Sequence, residues 1–396
     1  MKSILKKILP KKVIGFLSQV KNGNYNYYFW LFPVKKNKIV ICNYYGKGYG
    51  DNGKYIINKI IEEKIKVEII WLVKKELMVA ARFPNTVKIV EYGSMRALYE
   101  LATAKVWIDN SRKTFYPPKR KNQFYIQTWH SPLRLKKIEK DVEEYLPESY
   151  IRMAKKDSEN CDLMIAGCDF SWDVYRNSFW YDKEILKCGT PRCDVFFNDS
   201  LKVKNKVYEH FKISLGVNLI IFAPTFRSNS NIDAYILEFN QILKSSQERF
   251  GGDWRLLIRL HPNVSELSSL INYDDIIIDA TDYDDMQELL CAADILITDY
   301  SSCMFDMAIA NKICFLHAHD LDEYLAKERQ LYFNLYELPF YFSKTIEELI
   351  NNILEFNEEQ YSDSLQHFFK KIRLYENGTA SKEIVEKIKR TVVLEL

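Results

Sequence analysis

Short apolar runs alternate with amphipathic segments along most of the chain. From Lys38 onward, runs such as KIVICNYY and VEIIWLV are separated by segments such as NGKYIINKIIEEK, in which apolar residues recur every three or four positions. The runs predict β-strands, and the segments between them predict α-helices. Strands that are apolar on both faces are typical of a parallel sheet covered on both sides by helices. The pattern therefore predicts an α/β protein.

The series of strands and helices starts again in the second half of the chain. After a boundary near Asp199 to Lys206, NLIIFAPTF predicts a strand, residues 234–249 predict a long helix, and RLLIRLHP predicts the next strand. Two such series predict two doubly wound, Rossmann-like domains with a cleft between them, over residues 35–203 and 204–396. Ligands of such sheets bind beyond the carboxyl ends of the strands.

The first 34 residues have a different pattern. One face of a predicted helix carries Ile4, Leu5, Ile8 and Leu9, and the lysines at positions 2, 6, 7, 11 and 12 supply its charge. An aromatic cluster follows at residues 27–30, of the kind found at membrane interfaces. We therefore predict that residues 1–34 form a basic, amphipathic segment on an anionic membrane surface. A helix that packs against the rest of the protein is the alternative.

Composition limits the class of protein. The chain has 396 residues and a net charge of +3, which gives no indication of a nucleic-acid partner. No run of about eighteen apolar residues occurs, so no transmembrane helix is predicted. The eight cysteines form no CxxC pair and follow no secretion signal, which predicts reduced, mostly buried thiols in the cytosol. No cluster of metal ligands is evident, so neither a metal nor a cofactor is expected.

Polar and charged side chains follow the ends of several predicted strands. The ends carry His130, Thr225, Arg227, Arg259, His261, Asp299, Ser301 and Ser302, while Arg192 follows a short strand and Arg329 lies in a late loop. Because ligands bind beyond the carboxyl ends of parallel strands, we expect these side chains to face one cleft. Guanidinium groups in such number suit a diphosphate.

The two serines lie where a strand meets a helix. Residues 295–298 predict a buried strand, and residues 304–310 predict a helix that begins directly after Ser301 and Ser302. The free N–H groups and partial positive charge at a helix N-terminus suit a phosphate. The same serines also suit simple capping of the helix. Both interpretations stay open at this point.

Six blocks resemble the successive motifs of one family. They are WHSPLRLKKIEKD, YRNSFWYDKEILKCGTPRCD, IIFAPTFR, LLIRLHP, DILITDYSSCMFDMAIANK and DLDEYLAKERQLYFN, between about Lys38 and Phe340. In type and order they are similar to the motifs of the CDP-glycerol:poly(glycerophosphate) glycerophosphotransferase family, which makes teichoic acids and has relatives in capsule synthesis. The resemblance implies a GT-B-like fold with the nucleotide in the C-terminal domain. It also implies transfer of a polyol phosphate from a CDP-polyol to a hydroxyl of a lipid-linked acceptor, with release of CMP.

The resemblance also implies roles for individual residues. His130 matches the histidine proposed as the base for the acceptor hydroxyl, and His261 matches a histidine that contacts the donor diphosphate. The remaining matches imply substrate binding by Arg192, Thr225, Arg227, Arg259, Asp299, Ser301, Ser302 and Arg329. The chain departs from the family at Ser131 and Pro132, which follow His130 where glycine is usual, and at Gln330, which replaces a common glycine. No obligatory metal is implied.

Three other functions are compatible with the pattern. The same two-domain architecture serves glycosyltransferases that use nucleotide sugars, and the donor could be CDP-ribitol in place of CDP-glycerol. A catalytically inactive membrane-binding module is the third, suggested by Ser131, although the presence of both His130 and His261 argues against it. The leading prediction is a peripheral enzyme at the cytoplasmic face of the cell membrane.

Overall fold

The computed structural model describes Phe29 and residues 31–79, 83–227, 234–327 and 330–393. The predicted amphipathic helix of the first twenty residues lies outside the described residues, as does Arg329. Of the aromatic cluster at residues 27–30, only Phe29 is described. Its side chain is buried against Leu98 and Ala102, so this ring is part of the protein core and is not available to a membrane.

Thirteen strands lie in the described part of the chain. Their bounds are β1 (Lys35–Cys42), β2 (Glu68–Val73), β3 (Val87–Glu91), β4 (Ala104–Asp109), β5 (Phe124–Gln127), β6 (Leu163–Ala166), β7 (Glu184–Lys187), β8 (Asn218–Phe222), β9 (Trp254–Ile258), β10 (Ile277–Asp279), β11 (Ile295–Thr298), β12 (Ile313–His317) and β13 (Tyr341–Ser343). They form a seven-stranded sheet in the order β3-β2-β1-β4-β5-β6-β7 and a six-stranded sheet in the order β10-β9-β8-β11-β12-β13. In the second sheet every neighbouring pair is parallel.

Helices connect most of these strands. Their bounds are α1 (Asp51–Glu62), α2 (Met95–Thr103), α3 (Glu148–Asn160), α4 (Asp169–Ser178), α5 (Asp194–Phe197), α6 (Ser200–Phe211), α7 (Phe239–Phe250), α8 (Met286–Ala292), α9 (Cys303–Ile309), α10 (Leu321–Lys327), α11 (Ile346–Leu354), α12 (Glu358–Ile372) and α13 (Ala380–Val393). Strands β8 and β11 are apolar on both faces and almost fully buried, because helices cover both sides of the sheet. The predicted α/β fold with two parallel, Rossmann-like sheets is confirmed.

The chain divides into two compact units. The first unit contains the described residues up to Trp129, Arg152–Met164 and the described residues from Ile384 onward. The second unit contains His130–Ile151 and Ile165–Glu383. The domain bounds 35–203 and 204–396 inferred from the sequence stay a prediction.

Two groups of elements differ from the prediction. The helix expected to begin at about Ala234 begins at Phe239, with Ala234 and Tyr235 in a turn. The strands β3 and β13 and the helices α4, α5, α6 and α10 to α13 have no counterpart among the predicted elements. Strand β3 is half exposed and carries two charged residues, so its short apolar pattern is weak.

The described helices and the cysteines test two predictions, that no helix spans a membrane and that the thiols are reduced and buried. Of the helices that the structure describes, none has the length and apolar character needed to span a bilayer. All eight cysteines are among the described residues, and each is a buried thiol outside any disulfide. The predicted reduced, buried state of the cysteines is confirmed.

Candidate active site

Every predicted site residue that the structure describes belongs to the second unit. The two histidines therefore lie in one compact unit, although they come from distant parts of the sequence. Arg329 is outside the described residues, and its predicted role stays a prediction. The positions of the others follow from the strand ends that carry them.

His130 follows a turn that is held in an uncommon conformation. Strand β5 ends at Gln127, and Trp129 has a φ of 51°, a left-handed value that is strained for a bulky residue. The backbone N–H of Trp129 donates to Gln127 Oε1 at 2.9 Å. Its carbonyl accepts from Asn52 Nδ2 at 2.9 Å and from Thr128 Oγ1 at 2.8 Å. These bonds fix the direction in which the chain enters His130.

The segment after His130 is buried and lies against the start of α9. Residues 131–135 are all buried, including Ser131, which stands where the family has glycine. The backbone N–H of Leu135 donates to Ser302 Oγ at 3.4 Å, and its carbonyl accepts from the N–H of Tyr332 at 2.7 Å. The loop that carries the first histidine and the helix end that carries the serines are therefore in contact.

The serines at the start of α9 do not both act as helix caps. Ser302 occupies the N-cap position, but its side chain makes no capping hydrogen bond and instead accepts from the N–H of Leu135. Ser301 Oγ accepts from the N–H of Cys303 at a long 3.5 Å. The capping interpretation is therefore wrong for the Ser302 side chain. Phosphate binding by the two serines stays a prediction.

All three guanidinium nitrogens of Arg227 bind partners inside the protein. Its Nε and Nη2 donate to the two oxygens of Asp320 at 2.7 and 3.1 Å, Nη2 lies 2.8 Å from Asp299 Oδ2, and Nη1 donates to the carbonyl of Thr225 at 2.7 Å. The guanidinium also stacks against Tyr300, 4.8 Å from the ring centroid. Burial opposes its charge, but the two carboxylates dominate and raise its pKa. Arg227 therefore organises the loop after β8.

Thr225 and Asp299 connect the ends of two neighbouring strands. Asp299 follows β11 and accepts from the N–H of Thr225, which follows β8, at 2.8 and 3.0 Å. This arrangement uses the backbone of Thr225 and leaves Thr225 Oγ1 buried with no hydrogen-bond partner among the described residues. A buried hydroxyl without a partner is destabilising. A ligand oxygen that accepts a hydrogen bond from it would remove this destabilisation.

Arg192 forms a buried ion pair rather than facing open space. Its Nε donates to Asp306 Oδ1 at 3.0 Å and its Nη2 donates to Oδ2 at 2.6 Å, in a bidentate pair with the middle of α9. Asp194, two residues later, accepts the N–H groups of Ala380 and Ser381 at 3.0 and 2.7 Å and so caps α13. The block TPRCD therefore fixes the helix that carries the serines.

His261 has one ring nitrogen bound to the backbone. Nδ1 accepts from the backbone N–H of Asn263 at 3.2 Å, at the start of a short 3-10 helix over Pro262–Leu270. Since a nitrogen that accepts carries no proton, the neutral ring has its proton on Nε2. The ring is exposed, so Nε2–H is a hydrogen-bond donor at the end of β9. The neighbouring Arg259 donates to the carbonyls of Ala280 and Tyr283.

Glu376 is a buried carboxyl group close to the loop after His130. Its Oε2 accepts from the N–H of Thr190 at 3.0 Å, while Oε1 has no partner among the described residues. A Cβ built on Gly167 would collide with Oε1 and lie 3.2 Å from Pro132 Cβ, so the glycine makes room for this group. Burial raises the pKa of Glu376 from 4.5 to about 8, and Asp194 and Asp306 contribute in the same direction.

Wild-type protein is expected to lose stability as pH rises from about 4.5 to about 8, and changing Glu376 to glutamine should prevent this loss. Since the unfolded chain releases this proton near its ordinary pKa and the folded chain only near 8, the free energy of unfolding falls as pH rises across that window. The Tm of Glu376→Gln minus the Tm of wild type should therefore be larger at about pH 8.5 than at about pH 5. Calorimetry at both pH values measures this, with the exposed Glu359→Gln as control. An equal difference at the two pH values would contradict the burial argument.

Residues 25–390 match the family model described as CDP-Glycerol:Poly(glycerophosphate) glycerophosphotransferase. The fold is one that nucleotide-dependent transferases use, and the chain belongs to this family. The family predicted from the sequence motifs is confirmed.

Several teichoic acid polymerases are similar in sequence to this chain. A teichoic acid poly(glycerol phosphate) polymerase from Bacillus spizizenii W23 is 32% identical over 375 residues, which cover 90% of this chain and 93% of that protein. A teichoic acid poly(ribitol-phosphate) polymerase from the same strain is 27% identical over 381 residues, covering 91% of this chain and 57% of that protein. Two other poly(glycerol phosphate) polymerases are also matched over about half of their length.

A solved structure is similar over almost the whole chain. The wall teichoic acid polymerase TagF superposes with a TM-score of 0.82 and 28% identity, covering 97% of this chain and 98% of that chain. A second structure of TagF is a histidine variant with CDPG. The predicted GT-B-like arrangement of the fold is supported by this likeness.

Sequence reasoning missed the partners of the predicted residues. Asp306 and Asp320 bind Arg192 and Arg227, and both acids lie inside blocks that the sequence analysis singled out. An arginine at a buried strand end needs a carboxylate, so an acid within the same motif set was a usable signal. Asn52, which holds the turn before His130, has no such signal because it lies 77 residues from its partner.

Proposed function

We propose that this protein transfers a polyol phosphate, glycerol phosphate first of all, from a CDP-polyol to a hydroxyl of a lipid-linked acceptor. The product is a teichoic acid or capsule-type polymer, and the other product is CMP. The observation that carries this proposal is membership of the glycerophosphotransferase family over residues 25–390. A family member that is 32% identical carries the name of a poly(glycerol phosphate) polymerase, which supports glycerol phosphate as the transferred group.

The donor diphosphate is proposed to bind at the ends of β8, β9 and β11. There, His261 is an exposed residue whose Nδ1 accepts from the backbone, and Thr225 Oγ1 is a buried hydroxyl without a partner among the described residues. Ser301 and Ser302 lie at the same edge, and hydroxyl and imidazole donors are the groups that phosphoryl oxygens accept from. Arg227 and Arg192 contribute by holding these loops, since their guanidinium groups are bound to carboxylates.

His130 is proposed to act as the general base. The acceptor hydroxyl attacks the phosphorus distal to cytidine and gives its proton to the imidazole. The bond from that phosphorus to the bridging oxygen breaks, and CMP leaves with the electron pair. A positioned base contributes typically 10²–10⁴-fold to such a step. The hydrogen bonds on Trp129 support this role because they fix the chain immediately before the histidine.

The donor test compares three nucleotides with the full chain and a lipid-linked acceptor analogue. CMP release is expected to be fastest from CDP-glycerol and slower from CDP-ribitol, and a UDP-sugar should give no product. A rate with CDP-ribitol above that with CDP-glycerol would replace the first candidate by the second, which the relative named as a poly(ribitol-phosphate) polymerase favours. No CMP from either donor would contradict the proposed function.

The acceptor is proposed to be met at a membrane surface, with the basic, amphipathic helix predicted within residues 1–34 as the docking segment and the buried Phe29 taking no part. The basic residues of this segment are attracted to anionic lipid, at about 1 kcal/mol for each lysine near the surface. Deleting residues 1–20 is therefore expected to reduce co-sedimentation with anionic liposomes and to leave transfer to a soluble acceptor analogue largely unchanged. Binding of the full chain should weaken as salt rises, because the attraction is screened over about 8 Å. Equal sedimentation of the truncated and full chains would contradict this role.

A further inference from the structure

Arg134 carries a buried charge with few partners. It lies four residues after His130, and only 3% of its surface is exposed. Nη2 donates to the hydroxyl of Tyr175 at 2.6 Å, and the guanidinium lies over the Tyr175 ring at 4.3 Å from the centroid. Its Nε and Nη1 are buried and have no hydrogen-bond partner among the described residues. No described carboxylate forms an ion pair with it.

This state is unusual for a buried guanidinium. Arg192 and Arg227, the other buried arginines among the described residues of the second unit, each bind at least one carboxylate through two nitrogens. A charge removed from water without an opposite charge is costly, and buried N–H groups without acceptors add to the cost. The tyrosine hydroxyl and ring offset only part of it, since cation–π contacts contribute about 0.5–2 kcal/mol. An anion that binds the second N–H of Nη2 together with the neighbouring N–H of Nε or of Nη1 would supply the missing opposite charge.

The position of Arg134 identifies the class of that anion. The next residue, Leu135, donates its N–H to Ser302 Oγ, so the backbone of Arg134 is one residue from a contact with the start of α9. The second N–H of Nη2 is parallel to an N–H of Nε or of Nη1, and such a pair fits two oxygens of a phosphate. We infer that Arg134 is a substrate-binding residue that takes a phosphate group of a reaction partner, an inference that rests on the proposed function.

Two substrates of the proposed reaction carry such a group. One is the diphosphate of the CDP-polyol, and the other is the glycerol phosphate end of an acceptor chain. In both cases the ligand brings the negative charge that none of the described residues supplies to Arg134. The charge is bound only in the complex, so the arginine acts on affinity rather than on the stability of the free protein.

The experiment uses the full chain and the variants Arg134→Met and Arg134→Lys. The matched control is Arg176→Met, because Arg176 lies on the same helix as Tyr175 and its guanidinium also lies over a ring, that of Trp172 at 5.2 Å, but it is partly exposed. Titration calorimetry gives Kd for CDP-glycerol and for a soluble acceptor analogue that ends in glycerol phosphate. Thermal unfolding with and without each ligand gives the ligand-induced shift.

Arg134→Met is expected to keep most of its thermal stability without ligand and to raise Kd for one ligand about ten- to a hundredfold. Arg134→Lys keeps the charge but loses the paired, parallel N–H groups of the guanidinium, so it should raise Kd by a smaller factor. Arg176→Met should leave Kd unchanged. A loss confined to CDP-glycerol assigns Arg134 to the donor, and a loss confined to the acceptor analogue assigns it to the acceptor.

Unchanged Kd for both ligands would overturn the inference and leave Arg134 as a structural partner of Tyr175. If Arg134→Met does not fold, an unchanged Kd in Arg134→Lys overturns it equally. Wild-type protein that binds neither ligand would contradict the proposed function instead. In that case inorganic pyrophosphate is the probe, and equal affinity of wild type and Arg134→Lys for it overturns the inference.

Discussion

Replacing His130 with alanine is expected to lower kcat for CMP release by about 10²–10⁴-fold and to leave Kd for CDP-glycerol nearly unchanged. The reason is that the imidazole takes the proton of the acceptor hydroxyl and is not part of the proposed donor site. Ser302→Ala should behave in the opposite way. It removes one hydrogen bond to a charged group and should raise Kd about ten- to a hundredfold.

Single-turnover kinetics and titration calorimetry separate these two effects. His367→Ala, a change at an exposed histidine of α12, is the control and should alter neither kcat nor Kd. A His130→Ala protein with wild-type turnover would contradict the role of His130 as a base. A His130→Ala protein that no longer binds CDP-glycerol would place the histidine on the donor side.

Replacing Arg192 with methionine is expected to have the largest effect on stability. The change leaves Asp306, a fully buried carboxylate, without its bidentate partner. Removing one member of a buried ion pair typically destabilises a protein by about 3–5 kcal/mol. Urea unfolding measures the loss, and Lys187→Met is the control, because the ion pair of Lys187 with Asp169 is partly exposed and such pairs contribute about 0–1 kcal/mol.

A second variant tests whether the pair or the arginine alone matters. Arg192→Met combined with Asp306→Leu removes both charges and should recover much of the lost stability. An Arg192→Met protein of wild-type stability that fails to bind CDP-glycerol would contradict the structural role. It would support the direct substrate contact that the sequence motif implies.

The strand ends were predictable from the sequence, whereas the contacts of their side chains were not. Apolar runs bounded by polar residues identify β5, β8, β9 and β11, and parallel topology brings the ends of the last three to one edge of a sheet. The blocks around these ends also identify the family. That is why His130, His261 and the two serines could be placed at strand ends from the sequence, while their roles stay predictions.

The partners of the arginines depend on how distant segments pack. Arg192 and Asp306 are 114 residues apart, so the sequence motifs show that an acid is present but not that it pairs with this arginine. Sequence alone therefore presented Arg192 and Arg227 as substrate ligands, although the structure shows both bound to carboxylates. Arg134 is the reverse case, because its lack of a carboxylate is visible only once its surroundings are known.

The most direct test of the proposed function is to follow the phosphorus atom. CDP-glycerol labelled at the phosphorus next to glycerol is incubated with the full chain and a lipid-linked acceptor analogue, and the products are separated. Transfer of a polyol phosphate predicts unlabelled CMP and a labelled phosphodiester on the acceptor, in equal amounts. Labelled CDP, or label that stays with the nucleotide while the acceptor gains an unphosphorylated group, would contradict it.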